Sequence, residues 1–142
     1  EIIMLFPKKV KHRKWQTGRK HPVKRGIASR GNKVSFGSYG LKAITGDRIT
    51  SNQIEASRRV ISRTVGKFGK VWTRVFPDRP YTRKGAEVGM GKGKGEPAGF
   101  VFPVQPGRIL FEVDGVPEVK AKEALIKGGK KMPVKTKVVV RD

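Results

Sequence analysis

The side chains that could carry catalysis are few and scattered in this chain. Asp78, Glu112 and Asp114 fall among predicted turns and strands, and Asp114 precedes a glycine as turn residues often do. The two imidazoles, His12 and His21, lie in a basic tract that would repel a metal cation. No cysteine is present, which excludes disulfides, Cys-ligated zinc and thiol catalysis. The sequence therefore predicts no enzyme, no catalytic residue, no metal site and no cofactor.

A second candidate for chemistry is the glycine-rich segment 85–99, in which Lys92 and Lys94 alternate with glycines. It looks like a phosphate cradle, but no Ser or Thr follows a Gly-Lys pair to bind magnesium, as a P-loop requires. A dinucleotide site needs a helix directly after the glycines, whereas Pro97 and a predicted strand follow here. ATP or NAD binding is therefore disfavoured. Two readings remain: a flexible loop whose bare backbone approaches an RNA groove, and an ordinary surface loop.

The main signal is positive charge. Lys and Arg number 33 against 11 Asp and Glu, so the net charge is +22. Such self-repulsion favours a polyanionic partner, and nucleic acid is the natural one because its phosphates attract a basic surface and release counterions. An anionic membrane is the rival partner. We predict no membrane contact, because no amphipathic basic helix, lipid anchor or apolar span of about 20 residues is evident.

Positive charge is densest at the N-terminus, where residues 1–33 hold 11 Lys and Arg and one acid, Glu1. We divide the chain into this basic N-terminal arm and a single RNA-binding domain, residues 34–142. Lacking periodicity, the arm should be extended or disordered alone and should become ordered on RNA, unless it is merely a solvated tail. Trp15 could stack on a base. The candidate RNA-binding residues of the arm are Lys8, Lys9, Lys11, Arg13, Lys14, Trp15, Arg19, Lys20, Lys24, Arg25 and Arg30.

The clearest predicted element is a helix over residues 51–65. Thr50 and Gln53 form a capping-box pair before it, and Gly66 is a plausible stop. A spacing of 3.6 residues per turn places one set of side chains on an arc that should pack on a sheet. These are Ile54, Ser57, Val60, Ile61, Thr64 and Val65.

The opposite side of that helix presents three arginines, Arg58, Arg59 and Arg63, together with Ser62. Glu55 is the only acid on that side that could pair with them. The arginines should therefore contact either solvent or RNA phosphate.

The remaining patterns predict strands over residues 34–39, 71–76, 100–105, 108–113 and 134–140, and a short helix over 118–127. Pro106-Gly107 should turn a hairpin, Pro103 should lie at a sheet edge or bulge, and Gly128-Gly129 should end the second helix. The order predicts an α+β fold with one mixed or antiparallel sheet and two helices on one face.

Five segments carry a resemblance to a known family: Pro7-Lys8 to Gly18-Arg19, Val34 to Ala43, Gln53 to Arg59, Lys70 to Asp78, and Met90 to Gly95 continued by Gln105-Pro106-Gly107 and Asp114-Gly115-Val116-Pro117. In order and spacing they resemble the bacterial-type L-sixteen family of large-subunit ribosomal proteins. The resemblance extends from Met4 to about Val140. Each motif alone is modest, whereas the set is specific.

The resemblance implies an α/β-hammerhead fold and binding to large-subunit rRNA near the peptidyl transferase centre and the A site. The arm residues Lys8, Lys9, Lys11, Arg13, Lys14 and Arg19 would contact rRNA. The loop Met90, Gly91, Lys92, Gly93, Lys94 and Gly95 would reach towards the catalytic centre and help to position A- and P-site tRNA. Neighbouring ribosomal proteins would be further partners, with no small-molecule substrate. The location implied is a bacterial cytoplasmic ribosome, or alternatively a mitochondrial or plastid one.

Two positions depart from the family pattern. Gly89 stands where many members have an arginine that some of them hydroxylate, so that modification cannot occur here. Thr73 stands where an aliphatic residue is usual. Two other classes of function stay open on the sequence alone: a free-standing DNA- or RNA-binding module such as a nucleoid protein, and a nucleotide-using enzyme.

Overall fold

The computed structural model describes residues 7, 28, 30–83 and 96–141. Two helices and seven strands occur in these parts of the chain. In order they are β1 (Tyr39–Ala43), β2 (Asp47–Thr50), α1 (Ser51–Val65), β3 (Lys70–Thr73), β4 (Arg79–Arg83), β5 (Glu96–Val104), β6 (Ile109–Asp114), α2 (Glu118–Gly129) and β7 (Thr136–Val140).

The described strands form two sheets, both antiparallel: a four-stranded sheet in the order β3-β6-β1-β7 and a three-stranded sheet in the order β2-β5-β4. The α+β class is confirmed, whereas the prediction of a single sheet was wrong. The predicted hairpin across Pro106-Gly107 was also wrong, because β5 and β6 belong to different sheets. Gly107, at φ 98°, instead turns the chain from one sheet to the other and donates its N–H to the Ala43 carbonyl at 2.7 Å.

β3 ends at Thr73 instead of residue 76, and β7 begins at Thr136 instead of residue 134. Two further strand positions differ from the predictions for identifiable reasons. The strand expected over 34–39 lies at Tyr39–Ala43 instead, because the N–H groups of Ser35, Phe36 and Gly37 bind a side-chain carboxylate rather than a neighbouring strand. β5 begins at Glu96, inside the segment predicted as loop. Although β5 is the middle strand, Pro103 pairs only with Arg48 of β2, because the pairing with β4 ends at Val101. Pro103 is therefore at a local edge, as predicted.

α1 has the predicted ends. The Thr50 hydroxyl accepts a hydrogen bond from the Gln53 N–H at 3.3 Å, and the Gln53 side chain accepts one from the Thr50 N–H at 2.9 Å. Together these bonds satisfy two backbone donors at the helix start. Of the predicted packing arc, Ile54, Ser57, Ile61 and Val65 are buried, while Val60 and Thr64 are half-buried.

α2 continues through Gly128 and Gly129, two residues beyond the predicted end. Both glycines are buried. The Ser57 hydroxyl of α1 donates a hydrogen bond to the Gly128 carbonyl, and a Cβ at position 128 would collide with the Ile61 side chain. The glycines therefore allow the two helices to approach closely, and their role here is packing rather than helix termination.

The two faces of the four-stranded sheet have different coverings. α2 packs on β1, β6 and β7, and α1 packs on α2 and β3, enclosing a core that includes Leu41, Phe111 and Leu125. Alternate strand residues point to opposite faces. Register therefore places Glu112 in a row on the helix-free face together with Trp72, Gly40 and Val139. Residues 34–37 lie against this face, where they contact Gly40 and Glu112.

Candidate nucleic-acid interface

Three of the predicted RNA-binding arginines lie along α1, and the structure divides them into two kinds. Arg58 contacts the Glu55 carboxylate with Nη2 at 2.6 Å and Nε at 3.1 Å, and Arg59 lies 3.5 Å from the same carboxylate. Arg63, near the C-terminal end of α1, is exposed and has no ion pair among the described residues. Arg63 is therefore the arginine of this helix whose charge is most available to a phosphate.

Glu55 was predicted on the outer side of α1 but is only 3% exposed. The hydrogen bond from Arg58 lowers the pKa of Glu55 more than burial raises it, and the charges of Arg58 and Arg59 lower this pKa further. Glu55 is thus an anion at neutral pH that neutralises part of the basic helix surface. The predicted pairing of Glu55 with these arginines is confirmed, and its predicted exposure was wrong.

The last residues of the basic arm contact the segment between β5 and β6. Ala28 donates its N–H to the Pro106 carbonyl at 2.8 Å, and the Gly31 carbonyl accepts the Ile109 N–H at 2.7 Å. The Arg108 guanidinium donates to the carbonyls of Arg30 at 3.4 Å and Arg74 at 2.7 Å. Burial, and then the nearby charge of Arg74, lower the pKa of Arg108. The root of the arm is therefore fixed to the folded domain, with the Arg30 side chain exposed.

Glu112 is the centre of a polar cluster beneath residues 35–37. One carboxylate oxygen accepts the N–H groups of Ser35, Phe36 and Gly37 at 2.9, 2.7 and 2.9 Å. The other oxygen forms an ion pair with Arg74. Three consecutive N–H groups converging on an anion form a backbone nest, and here the anion is supplied by the protein itself.

Burial of Glu112 would by itself raise its pKa, because desolvation disfavours the charged form. The N–H of Gly37, the Arg74 guanidinium and the N–H groups of Phe36 and Ser35 outweigh that effect and hold the pKa below its ordinary value. Gly37 is needed for this geometry, since a Cβ there would lie 2.7 Å from the Val113 carbonyl oxygen. The carboxylate therefore stays charged and fixes the backbone above it.

The same cluster presents an aromatic surface to solvent. The Arg74 guanidinium carbon lies 4.9 Å from the centre of the Phe36 ring, and the Phe36 and Trp72 rings stack with centroids 6.4 Å apart. Phe36 is 56% exposed. We call Phe36, Trp72 and Arg74 the aromatic platform. A rigid aromatic surface beside a cation is one of the features with which proteins bind unpaired bases.

The remaining predicted site residues lie outside the described residues. These are the arm positions Lys8, Lys9, Lys11, Arg13, Lys14, Trp15, Arg19, Lys20, Lys24 and Arg25, and the loop positions Met90, Gly91, Lys92, Gly93, Lys94 and Gly95. Among the predicted residues that the structure describes, Arg58 and Arg59 both contact Glu55, and Arg63 lies on the same helix. The Arg30 carbonyl accepts a hydrogen bond from Arg108.

Sequence reasoning missed the aromatic platform and the role of Glu112. One signal was present: Glu112 interrupts the apolar run Ile109-Leu110-Phe111 and Val113. A carboxylate in such a strand is costly to bury unless it is paired and hydrogen-bonded. This pattern predicts a partner for Glu112, although nothing in the sequence identifies that partner as Arg74 and residues 35–37.

The described parts of the chain contain no group of three or more His, Asp or Glu side chains placed to hold a metal ion. None of the helices described there is both long and apolar enough to cross a membrane. Asp114, one of the scattered acids, accepts hydrogen bonds from the Ser38 hydroxyl at 3.0 Å and the Gly115 N–H at 2.8 Å. Gly115 has φ 80°, so Asp114 has the structural turn role expected of it.

Comparison with known proteins gives a match over almost the whole chain. The sequence profile of the family described as ribosomal protein L16p/L10e matches residues 7–139. Similar curated proteins include those of Porphyromonas gingivalis, 54% identical over 97% of this chain and 93% of its own length, and Alkalilimnicola ehrlichii, 56% identical over 97% and 98%. The protein of Gluconacetobacter diazotrophicus is 51% identical over 97% of each chain. All three are named large ribosomal subunit protein uL16.

Proposed function

Because this chain belongs to the ribosomal protein L16p/L10e family, we propose that it is a structural constituent of the large ribosomal subunit. The observation that carries the proposal is the match over residues 7–139, together with relatives named as large-subunit proteins that are covered almost end to end. These relatives are named as ribosomal proteins and not as enzymes. This supports the prediction that the chain has no catalytic activity of its own.

The primary partner in this proposal is large-subunit rRNA near the peptidyl transferase centre and the A site. The basic arm contributes most of the contacts, since 11 of its 33 residues are Lys or Arg. Its root is fixed to the domain through Ala28, Gly31 and Arg108, so the arm starts from a defined point on the surface. Arg63 and, more weakly, Arg58 and Arg59 add phosphate contacts along α1, because Glu55 neutralises part of the charge of the latter two.

The loop Met90–Gly95 helps to position A- and P-site tRNA. Alternating glycines allow a close approach of its backbone to RNA, and Lys92 and Lys94 supply positive charge for phosphates. No catalytic group is required of the loop, because its role is positioning and the peptidyl transfer chemistry belongs to the RNA. Neighbouring large-subunit proteins complete the set of partners.

The place of action in this proposal is the ribosome of a bacterial cytoplasm, in line with the bacterial relatives. A mitochondrial or plastid ribosome is the alternative. The two locations are distinguished by expressing the tagged chain in a bacterial host and in a host with organelles. The measurement is the ribosome fraction in which the chain is recovered: bacterial, mitochondrial or plastid.

The experiment that tests the proposal is co-sedimentation of the tagged full-length chain from a cell lysate through a sucrose gradient, with a high-salt wash. Retention in the large-subunit peak after the wash is expected, because an integral constituent has many contacts besides salt-sensitive phosphate contacts. Recovery only in light fractions, or complete release by salt, would contradict the proposal and would favour a loosely bound nucleic-acid protein.

The role of the arm is tested separately by deleting residues 1–27, which leaves Ala28 and the contacts of residues 30–37 in place. The domain should fold, as judged by circular dichroism, but should be incorporated into large subunits much less than the full chain. Incorporation equal to that of the full chain would show that the arm is dispensable for binding.

A further inference from the structure

We propose that the exposed ring of Phe36 is a stacking site for an unpaired base of large-subunit rRNA, with Glu112 as the residue that positions it. This inference rests on the proposed function, since it needs the chain to bind that RNA. It adds a specific contact in the folded domain, at a residue that was not among those predicted to bind RNA in the basic arm or in the glycine–lysine loop.

The first argument is that Phe36 is exposed and yet held in place. An exposed aromatic ring on a loose segment would lose conformational freedom on stacking, which weakens binding. Here the Phe36 N–H is bound by Glu112 at 2.7 Å, with Ser35 and Gly37 bound on either side. Arg74 and Trp72 flank the ring itself. The segment is therefore preorganised before any ligand arrives.

Phe68 is an exposed phenylalanine that lacks this arrangement. Phe68 follows α1 and is 83% exposed, more than Phe36. It has no ring contact with a cation or another aromatic ring within the described parts of the chain. Exposure alone therefore does not produce a platform, and Phe68 provides a matched control of the same residue type.

The charge around the platform selects the occupant. Glu112 is fully buried and is paired with Arg74, so this carboxylate offers no free negative charge at the surface. Lys33 precedes the platform segment and is exposed, and Lys70 is exposed and lies two residues before Trp72, on the same face of β3. The nearest acid in the strand register is Asp114, which pairs with Lys70 across β3 and β6 and accepts hydrogen bonds from the uncharged Ser38 hydroxyl and Gly115 N–H.

An aromatic surface within a basic surrounding matches an unpaired nucleotide, whose base stacks on the ring while its phosphates meet Lys33 and Lys70. The alternative occupant is an acidic protein segment, whose carboxylates would pair with the same lysines while an apolar side chain contacts the ring. RNA is favoured because the flat, partly stacked Phe36 ring offers an aromatic face instead of a closed apolar pocket, and every base has an aromatic face.

The test measures binding of the purified full-length chain to large-subunit cores from which the resident protein has been removed by salt, and to protein-free large-subunit rRNA. Phe36→Leu keeps an apolar side chain but removes the aromatic face, so affinity for both targets should fall about 5- to 100-fold. Phe36→Tyr should bind like the original chain, because it keeps the ring, and Phe68→Leu should also bind normally. Circular dichroism and thermal melting establish that all variants fold.

Salt dependence separates stacking from phosphate contact. Phe36→Leu should leave the slope of log affinity against log salt unchanged, because no charge is removed, whereas Arg63→Ala should reduce it if Arg63 binds a phosphate. Nucleotides that stack on Phe36 should also become more reactive to chemical probing in cores that carry the Phe36→Leu chain.

Unchanged binding and unchanged probing with Phe36→Leu would overturn the stacking site. A defect seen on cores but absent on protein-free rRNA would also overturn it, because the contact would then be with a neighbouring protein. Failure of the unmodified chain to bind either target would instead overturn the proposed function, so the two failures are distinguishable.

Discussion

At the scale of single residues, Glu112 connects the segment that follows the basic arm to the four-stranded sheet. It binds three backbone N–H groups and Arg74 while excluded from solvent. Removing this carboxylate is costly, because its backbone N–H and guanidinium partners then lose their hydrogen-bond acceptor. The stability of residues 34–37 should therefore depend strongly on this one side chain.

Glu112→Gln tests that dependence. The amide keeps the size of the side chain but replaces the charge and places an N–H₂ group where one oxygen accepted hydrogen bonds. We expect a loss of about 2–4 kcal/mol in the free energy of unfolding, measured by urea denaturation. Glu123→Gln, which removes an exposed pair with Lys127, should change stability little. Equal effects of the two substitutions would contradict the central role of Glu112.

The pH dependence of stability follows from the same carboxylate. The pKa of Glu112 is lower in the folded chain than its ordinary value of 4.5. Its stabilisation is therefore fully present above about pH 4.5 and is lost as the pH falls through the folded pKa. Unfolding free energies measured from neutral pH to about pH 3 should fall less steeply for Glu112→Gln than for the original chain. Parallel curves would contradict this prediction.

The sequence predicted one part of the candidate nucleic-acid interface, the arginine surface of α1. The basic residues of α1 and their pairing with Glu55 follow from local spacing, because residues three and four apart are neighbours on a helix. The pairing of Glu112 with Arg74 and residues 35–37 spans about 40 to 80 positions of the chain. Such contacts depend on which strands pair and in which register, and no local sequence pattern predicts that pairing.

At the scale of elements, the packing of α1 on α2 depends on Gly128. The Ser57 hydroxyl binds the Gly128 carbonyl, and the Ile61 side chain occupies the space that a Cβ at position 128 would need. This close approach sets the position of α1, and with it the surface on which Arg63 lies.

Gly128→Ala should destabilise the chain although alanine is the better helix former. The gain in helix propensity is at most about 1 kcal/mol, whereas overpacking costs about 1–3 kcal/mol, so we expect a net loss in urea denaturation. Adding Ile61→Val, which removes Cδ1, one of the two Ile61 atoms that the new Cβ would overlap, should restore part of the loss. The exposed substitution Lys120→Ala serves as control. A stabilised Gly128→Ala chain would show that the helices can separate without cost.

Elements with local signals were predicted well, and elements without them were not. α1 was identified because its cap and its apolar spacing lie within the helix itself. β2 and β4 were missed because four or five residues such as Asp47–Thr50 and Arg79–Arg83 carry no sustained alternation. They form strands because β5 pairs with both. Because these two strands were missed, the sequence predicted one sheet instead of two.

At the scale of the whole molecule, 33 Lys and Arg against 11 Asp and Glu leave a net charge of +22, and two of the acids, Glu55 and Glu112, are buried in ion pairs. Each of these two acids neutralises an arginine, so the excess positive charge of the remaining side chains is unchanged. Binding to a polyanion should stabilise such a chain, because self-repulsion is then neutralised.

The proposed role of the loop over residues 90–95 in positioning tRNA predicts that Lys92→Ala combined with Lys94→Ala affects translation more than folding. The two lysines lie in a glycine-rich segment, so their removal should leave the melting temperature almost unchanged while tRNA positioning is weakened. The measurement is the rate of translation by ribosomes shown to contain the variant. Lys130→Ala with Lys131→Ala, which removes the same charge next to α2, is the matched control, and equal translation by both variants would contradict the prediction.

This chain belongs to a family of large-subunit ribosomal proteins, and we propose that its site in the subunit is near the peptidyl transferase centre. The most direct test of this claim is a cryo-electron microscopy map of large subunits purified through a tag on the chain. We expect density for the two sheets and two helices on rRNA beside the A site, with the arm between RNA helices and residues 90–95 directed towards the centre. Density for the chain at a distant position, or recovery of the tagged chain without large subunits, would contradict the claim.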